Sequence, residues 1–172
     1  DRFTMCAFNN RIDHIALSEG EVGNVVFLPL LPLEVLVEAL GGGGSGSETT
    51  TTLNFNQQGY SNGVAISNLK VSGVTVAFDK GSNSNAPKYY DSGSAIRAYG
   101  GNTITISYTG TITKVTFTFS TGDDGNEITA NNGDGEWNEP DWTGNTTNDI
   151  VFAIGGTSGH RRIQSIAVTC TS

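Results

Sequence analysis

Residues 103–119 read TITISYTGTITKVTFTF, and this stretch decides the fold. Large apolar side chains occupy alternate positions in each half, namely Ile104, Ile106 and Tyr108, and then Val115, Phe117 and Phe119. Since successive side chains of a β-strand point to opposite faces of a sheet, each half offers one apolar face and one polar, threonine-rich face. The stretch therefore predicts two strands whose apolar faces are buried.

The same alternation recurs along most of the chain, at residues 52–55, 74–78, 150–154 and 166–170. Segments rich in glycine and asparagine, which are typical of turns, separate the runs at residues 59–63, 79–87, 100–102 and 155–159. About six to eight short strands with one buried face each require a second sheet to cover the core. Residues 48–172 are therefore predicted to form an all-β module, a two-sheet antiparallel β-sandwich of jelly-roll-like form.

A flexible linker is predicted at residues 41–47, which read GGGGSGS. The composition is typical of an engineered fusion, although a natural glycine-rich hinge would have the same composition. Residues 1–40 are then a separate N-terminal segment joined to the module by this linker.

The N-terminal segment is predicted to contain a hairpin, with strands at residues 11–17 and 25–28. Residues 33–40 fit either a short helix or a third strand, because their apolar positions match both periodicities. We favour the helix, since Glu34 and Glu38 then share the face opposite the leucines.

Composition and charge exclude several classes of protein. The chain has 172 residues, a net charge of −8 and only 15% charged residues, so binding to nucleic acid through phosphate neutralisation is disfavoured. No apolar run reaches the length of a membrane-spanning helix, about 20 residues. The scarcity of lysine and the abundance of threonine, asparagine and glycine predict an extracellular or cell-surface location. Cys6 and Cys170 are too few for a disulfide framework, and whether they pair is left open.

Catalysis is not predicted. The chain has two histidines, and it contains none of the motifs G-x-S-x-G, H-E-x-x-H or Walker A, nor paired cysteines at metal-binding spacing. Paired carboxylates do occur, but in a loop rich in glycine and asparagine that would hold them poorly at the fixed separation a glycosidase needs.

That acidic loop is a candidate calcium site. Calcium prefers about six to eight oxygen ligands from a flexible loop, and this segment contains no lysine or arginine. The candidate ligands are Asp123, Asp124, Glu127, Asp134 and Glu136. The pattern does not match an EF-hand, and the alternative is a solvated acidic loop without a metal.

A second group of residues is typical of a carbohydrate site, because sugars stack on aromatic rings while polar side chains bind their hydroxyls. The candidates are Tyr89, Tyr90, Arg97, Trp137, Trp142, His160 and Arg161. Arg161 or its neighbour Arg162 would suit an acidic sugar or a sulfate. Alternatively, Trp142 fills the end of the sandwich, and Arg97 and Arg162 form structural ion pairs with Asp79 or Asp91.

The chain from residue 49 onward resembles a module of secreted and surface proteins of gut Bacteroidetes. The motifs that carry the resemblance are LNF at 53–55 with GY at 59–60, VAFDKG at 76–81, NAPKYY at 85–90, AIR at 95–97 with Tyr99, GNTITI at 101–106, WTG at 142–144 and GTSGHRRI at 156–163. The resemblance covers about 120 residues in order and implies a β-sandwich that serves as an accessory unit. It does not imply a particular biochemical role.

Together these features predict a non-catalytic, secreted or cell-surface β-sandwich module that binds carbohydrate. The alternative is an interaction, assembly or spacer domain. In that case the strongly apolar residues 25–40 must be shielded from water by other protein surface. Residues 1–40 would then dock onto a protein partner or a second copy of the chain.

Overall fold

The structure is a computed structural model, and it describes residues 4–8, 11–16, 46–131 and 134–172, the first two ranges as backbone only. The chain divides into two compact units, Asp1–Ser45 and Gly46–Ser172. The predicted strand at 25–28, the helix or strand at 33–40 and most of the linker at 41–47 lie outside the described residues.

The described part of the first unit is a hairpin of two antiparallel strands, β1 (Thr4–Phe8) and β2 (Arg11–Ala16). Its register pairs Met5 with Ile15 and shifts between Cys6 and Ala7. The strand predicted at residues 11–17 is therefore confirmed to within one residue.

The second unit is built almost entirely from strands, in addition to one short 3-10 helix at Phe55–Gln57. In chain order the strands are β3 (Glu48–Asn54), β4 (Asn68–Val71), β5 (Val74–Asp79), β6 (Lys88–Tyr90), β7 (Ala95–Tyr99), β8 (Thr103–Ser107), β9 (Thr111–Phe119), β10 (Ile128–Ala130), β11 (Gly135–Asn138), β12 (Asp141–Thr146), β13 (Ile150–Ile154) and β14 (His160–Thr171).

These strands form two antiparallel sheets. The smaller sheet has the order β10-β13-β8-β5-β4, and the larger has the order β11-β12-β9-β14-β7-β6. Strand β14 is 12 residues long, so one of its edges pairs with β9 while the other pairs first with β7 and then with β3. The predicted all-β, two-sheet antiparallel sandwich is confirmed.

The core lies between the two sheets and consists of the alternating side chains that the sequence marks. The smaller sheet contributes Val74, Val76, Phe78, Ile104, Ile106, Ile150, Phe152 and Ile154, and the larger sheet contributes Val115, Phe117, Ile163, Ile166 and Val168. Burial of this much apolar surface is what holds the sheets together. Tyr108 and Phe119 follow the same pattern but are only partly buried.

Among the described residues, no helix is long and apolar enough to cross a membrane. Cys170 is a free, buried thiol on β14, and burial raises its pKa.

Candidate functional site

The candidate site lies on the outer face of the larger sheet, where β6, β7 and β14 run side by side. On β7, Ile96 and Ala98 are buried in the core, so Arg97 and Tyr99 point outward. On β14, the buried Ile163 fixes the same alternation and leaves Arg162 on the outer face. The site therefore follows from the same strand pattern that builds the core.

Three rings form an aromatic row, defined here as Tyr90, Tyr99 and His160, across these three strands. The hydroxyls of Tyr90 and Tyr99 share a hydrogen bond of 3.2 Å. Tyr99 and His160 are directly paired across β7 and β14, with ring centroids 6.2 Å apart and planes tilted by 59°. All three residues are half-buried, and the side chain of His160 is 14% exposed.

The hydroxyl of Tyr99 stays protonated over the physiological range. Burial raises the pKa of Tyr99 to about 12, and its hydrogen bond with Tyr90 acts in the same direction. Tyr99 therefore presents a neutral hydroxyl group, which can both donate and accept hydrogen bonds.

His160 is neutral and has both ring nitrogens in use. Nδ1 lies 2.8 Å from Oδ2 of Asp124, and Nε2 accepts a hydrogen bond of 3.0 Å from Nε of Arg162. A ring nitrogen that accepts carries no proton, so these contacts assign the proton to Nδ1. Burial lowers the pKa of His160, and Arg97 and Arg162 lower it further, against the opposing charge of Asp124.

A guanidinium covers one end of the aromatic row. Cζ of Arg97 lies 4.1 Å from the centroid of the Tyr90 ring, a cation–π geometry. Nε of Arg97 is buried and has no hydrogen-bond partner. Since the remaining donors of this side chain make no hydrogen bond to any described residue, a ligand with acceptor oxygens could take them.

A buried asparagine holds the turn that carries this face. Oδ1 of Asn102 accepts the backbone N–H of Tyr99 at 2.7 Å, and Nδ2 donates to the carbonyls of Lys80 and Asn85 at 2.9 and 3.0 Å. Asn102 is completely buried. It ties the loop after β5 to the end of β7 and fixes the backbone at Tyr99.

The seven sequence candidates separate into two groups. The structure brings Tyr90, Arg97 and His160 together on the outer face. It places the others elsewhere, namely Tyr89, Trp137, Trp142 and Arg161.

Two of the proposed sugar-stacking rings are in the core. Trp142 is completely buried and Tyr89 is 6% exposed, so neither offers a ring face to a ligand. The sequence prediction that they belong to the site is wrong for this structure, because β12 and β6 turn these positions inward. Trp142 instead fills the space beside Gly135 and Gly144, whose backbones contact its ring.

Trp137 also packs against the core. Its ring makes edge-to-face contacts with Phe117 and Phe152, with centroids 5.5 and 5.2 Å apart. It is half-buried, and it lies on β11, at the far side of the larger sheet from β6. Of the four aromatic candidates, Trp137 and Trp142 therefore do not share a surface with Tyr90.

The guanidinium of Arg161 is bound by other groups of the protein, so Arg161 has a structural role and is not placed to bind a ligand. Its guanidinium is 4% exposed, binds Asp123 through Nε at 2.8 Å and Glu139 through Nη2 at 2.8 Å, and donates from Nη1 to the carbonyl of Asn126. Cζ also lies 3.9 Å from the centroid of the Phe119 ring. Burial disfavours the charged guanidinium and by itself would lower the pKa of Arg161. The hydrogen bonds to Glu139 and Asp123 have the larger effect, so the pKa of Arg161 is raised.

The predicted calcium ligands do not converge. Asp123 binds Arg161, Asp124 binds His160, and Asp134 accepts hydrogen bonds from Thr146 and Asn148. Within residues 46–131 and 134–172, no three acidic, histidine or cysteine side chains are grouped so that they could hold a metal ion. The structure therefore does not bring the predicted ligands Asp123, Asp124, Glu127, Asp134 and Glu136 together, because Asp123 is paired with the guanidinium of Arg161 and Asp124 with the neutral ring of His160.

Sequence reasoning missed Tyr99 and Lys88 as members of this surface, and it named Arg162 only as an alternative to Arg161 for binding an acidic group. The signal was present in the alternation of β7, since burying Ile96 and Ala98 makes Tyr99 face outward with Arg97. The sequence alone does not show which strands are neighbours in the sheet.

Comparisons with known proteins give no relative from which a role could be taken. No protein-family model, no curated protein and no solved structure matches the chain.

Proposed function

We propose that residues 46–172 are a non-catalytic binding module of a secreted or cell-surface protein, and that its ligand is a carbohydrate. The observation that carries the proposal is the aromatic row across three neighbouring strands, with Tyr90 and Tyr99 joined by a hydrogen bond of 3.2 Å and His160 paired with Tyr99.

The row suits a sugar because a sugar has both apolar and polar edges. Its C–H faces stack on aromatic rings, and its hydroxyls bind side chains that both donate and accept hydrogen bonds. The tyrosine hydroxyls offer both, and Arg97 adds donors above the Tyr90 ring. Since the rings lie on strands rather than on a loop, the surface is preorganised and little ordering is needed on binding.

The ionisable groups of this surface support a binding role over a catalytic one. Both ring nitrogens of His160 are occupied, so His160 is not available as a general base. Asp123 and Asp124, the carboxylates that contact this end of β14, are held by Arg161 and His160.

The test is binding of the full 172-residue chain to a broad glycan array, together with Tyr90→Ala and a matched control, Tyr108→Ala. Tyr108 is also a half-buried tyrosine that packs against the core, but it follows β8 in the smaller sheet. We expect a coherent set of bound glycans that Tyr90→Ala loses and Tyr108→Ala retains. A folded wild-type sample that binds no glycan overturns the proposal.

A further inference from the structure

Three cationic side chains stand in a row on the same outer face. Lys88 of β6 is the direct partner of Arg97 of β7, and Arg97 is the direct partner of Arg162 of β14. We call these three residues the cation row. Each is half-buried, and each shares its face with the aromatic row.

The cation row is not neutralised by the part of the chain that the structure describes. No carboxylate there lies within 4.0 Å of Lys88, Arg97 or Arg162, whereas Lys114 and Arg161 both have acidic partners. Like charges directly opposite each other on neighbouring strands destabilise a sheet. In a chain of net charge −8, this strip of uncompensated positive charge favours one class of ligand, an anion.

The two guanidiniums are positioned to bind oxygens. Arg97 lies against the Tyr90 ring and has no hydrogen bond to a described residue. Arg162 donates from Nε to Nε2 of His160 at 3.0 Å and from Nη1 to the carbonyl of Thr121 at 3.4 Å, and its guanidinium packs against Gly122. Nη2 of Arg162 makes no hydrogen bond to a described residue.

We propose that the cation row binds the negatively charged group of an acidic glycan, either a sulfate ester or a uronate carboxylate. This inference rests on the proposed carbohydrate-binding function and specifies the class of its ligand. The planar fork of a guanidinium matches two oxygens of a carboxylate or a sulfate, and such charge-assisted hydrogen bonds are stronger than neutral ones.

The neighbouring aromatic row makes the ligand a sugar rather than a free anion. Stacking on Tyr90 or Tyr99 would place a pyranose ring beside the cation row, so one residue of the glycan could engage both. A long nucleic acid is disfavoured, because the rest of the molecule carries a net negative charge that would repel its backbone.

The test compares ligands that differ only in charge. The full chain is titrated calorimetrically with polygalacturonate oligosaccharides and their methyl esters, and with a sulfated galactan oligosaccharide and its desulfated form. Single-stranded oligo(dT) and inorganic sulfate serve as anions that contain no pyranose ring. We expect at least one acidic glycan to bind more tightly than its neutral counterpart, with an affinity that falls as salt is added.

The variants Arg97→Gln and Lys88→Gln each remove one charge from the row. The matched control is Lys70→Gln, an exposed lysine of β4 in the smaller sheet. We expect Arg97→Gln to weaken binding of the acidic glycan about tenfold or more, as loss of a charge-assisted contact does, while Lys70→Gln leaves it unchanged. Lys88→Gln provides the same test should Arg97→Gln fail to fold.

The outcomes separate this inference from the function on which it rests. Equal binding of charged and neutral partners, insensitive to Arg97→Gln and Lys88→Gln, overturns the anion assignment and leaves a carbohydrate-binding module. Binding of oligo(dT) or sulfate as tight as that of the acidic glycan also overturns it. No binding to any glycan overturns the proposed function itself.

Discussion

Arg97 and Arg162 are direct partners on neighbouring antiparallel strands, but the protein holds them in different ways. Arg162 donates from Nε to His160 at 3.0 Å, whereas Arg97 rests on the ring of Tyr90 and leaves its buried Nε without a partner. The first guanidinium is part of the hydrogen-bonded structure, and the second is not.

This difference predicts unequal costs of substitution. Arg162→Gln loses the hydrogen bonds to His160 and to the carbonyl of Thr121, and it should lower the free energy of unfolding by about 1 kcal/mol more than Arg97→Gln does. Removing Arg97 also relieves repulsion between opposed charges and removes an unsatisfied donor. Urea denaturation of the two variants measures the difference, and a larger loss for Arg97→Gln would contradict this description.

The ion cluster around Arg161 should be essential for stability and irrelevant to binding. Asp123→Asn leaves the buried guanidinium without one of its two carboxylates, and we expect a loss of about 3 kcal/mol in the free energy of unfolding. The control is Glu136→Gln, which changes an exposed carboxylate on β11 and should be neutral. Denaturant titration measures both. Equal stability of the two variants would show that Arg161 does not depend on its partners.

A substitution of Trp142 distinguishes the sequence hypothesis, in which this residue binds a sugar, from the structure, in which it fills the core. Because the ring is completely buried, Trp142→Ala should cost about 3–5 kcal/mol. Trp142→Phe should cost less, since it keeps part of the volume and removes Nε1, a buried donor without a hydrogen-bond partner. Thermal unfolding followed by circular dichroism measures both. A Trp142→Ala variant that melts normally and loses glycan binding would restore this residue to the site.

Asn102 should contribute more to the stability of the fold than an average polar residue does. Asn102→Ala removes three side-chain hydrogen bonds from a buried position, which predicts a loss of about 3 kcal/mol. Amide exchange should accelerate at Tyr99, whose N–H loses its acceptor. Asn56→Ala, at an exposed position in the 3-10 helix, is the control. Unchanged exchange at Tyr99 in the Asn102→Ala variant would contradict the role assigned to Asn102.

The protonation of His160 predicts a dependence of stability on pH. Its pKa is lowered from 6.5 in the folded protein, chiefly by burial and also by Arg97 and Arg162, while Asp124 and Asp123 oppose the shift. The unfolded chain therefore takes up the proton first, and the stability that His160 contributes above about pH 6.5 is lost as the pH falls through the lower, folded-state value. Tyr99, which packs beside the ring, remains neutral over this range.

The measurement is the free energy of unfolding of the wild type and of His160→Gln between about pH 7 and pH 5. We expect the free energy of unfolding of the wild type to fall relative to that of His160→Gln as the pH is lowered. A wild-type advantage that grows as the pH falls would mean that His160 is charged in the folded state.

Alternation along the chain was sufficient to predict the sandwich, because burial of every second side chain is a local property of a strand. Val76, Phe117 and Phe152 were placed in the core on that basis, and they are buried. The surface was harder to predict, because Arg97 and Arg162 become neighbours through strand pairing across 65 positions of sequence, and no local pattern encodes that pairing.

Arg161 and Arg162 show the same limit at two adjacent positions. The sequence marked both as candidates for an acidic ligand, and the alternation of β14 sends one inward and the other outward. The choice depends on the register of β14 against β7 and β9. The sequence likewise predicts Asp123 and Asp124 as metal ligands, because it cannot show that Arg161 and His160 of β14 contact them.

The most direct test of the account is the glycan array for the full chain, run in parallel with Tyr90→Ala and Tyr108→Ala. We predict a coherent set of bound glycans that disappears with Tyr90→Ala and persists with Tyr108→Ala, while both variants remain folded. Glycan binding that survives Tyr90→Ala, or a folded wild type that binds none, would contradict the assignment of this face as a carbohydrate site.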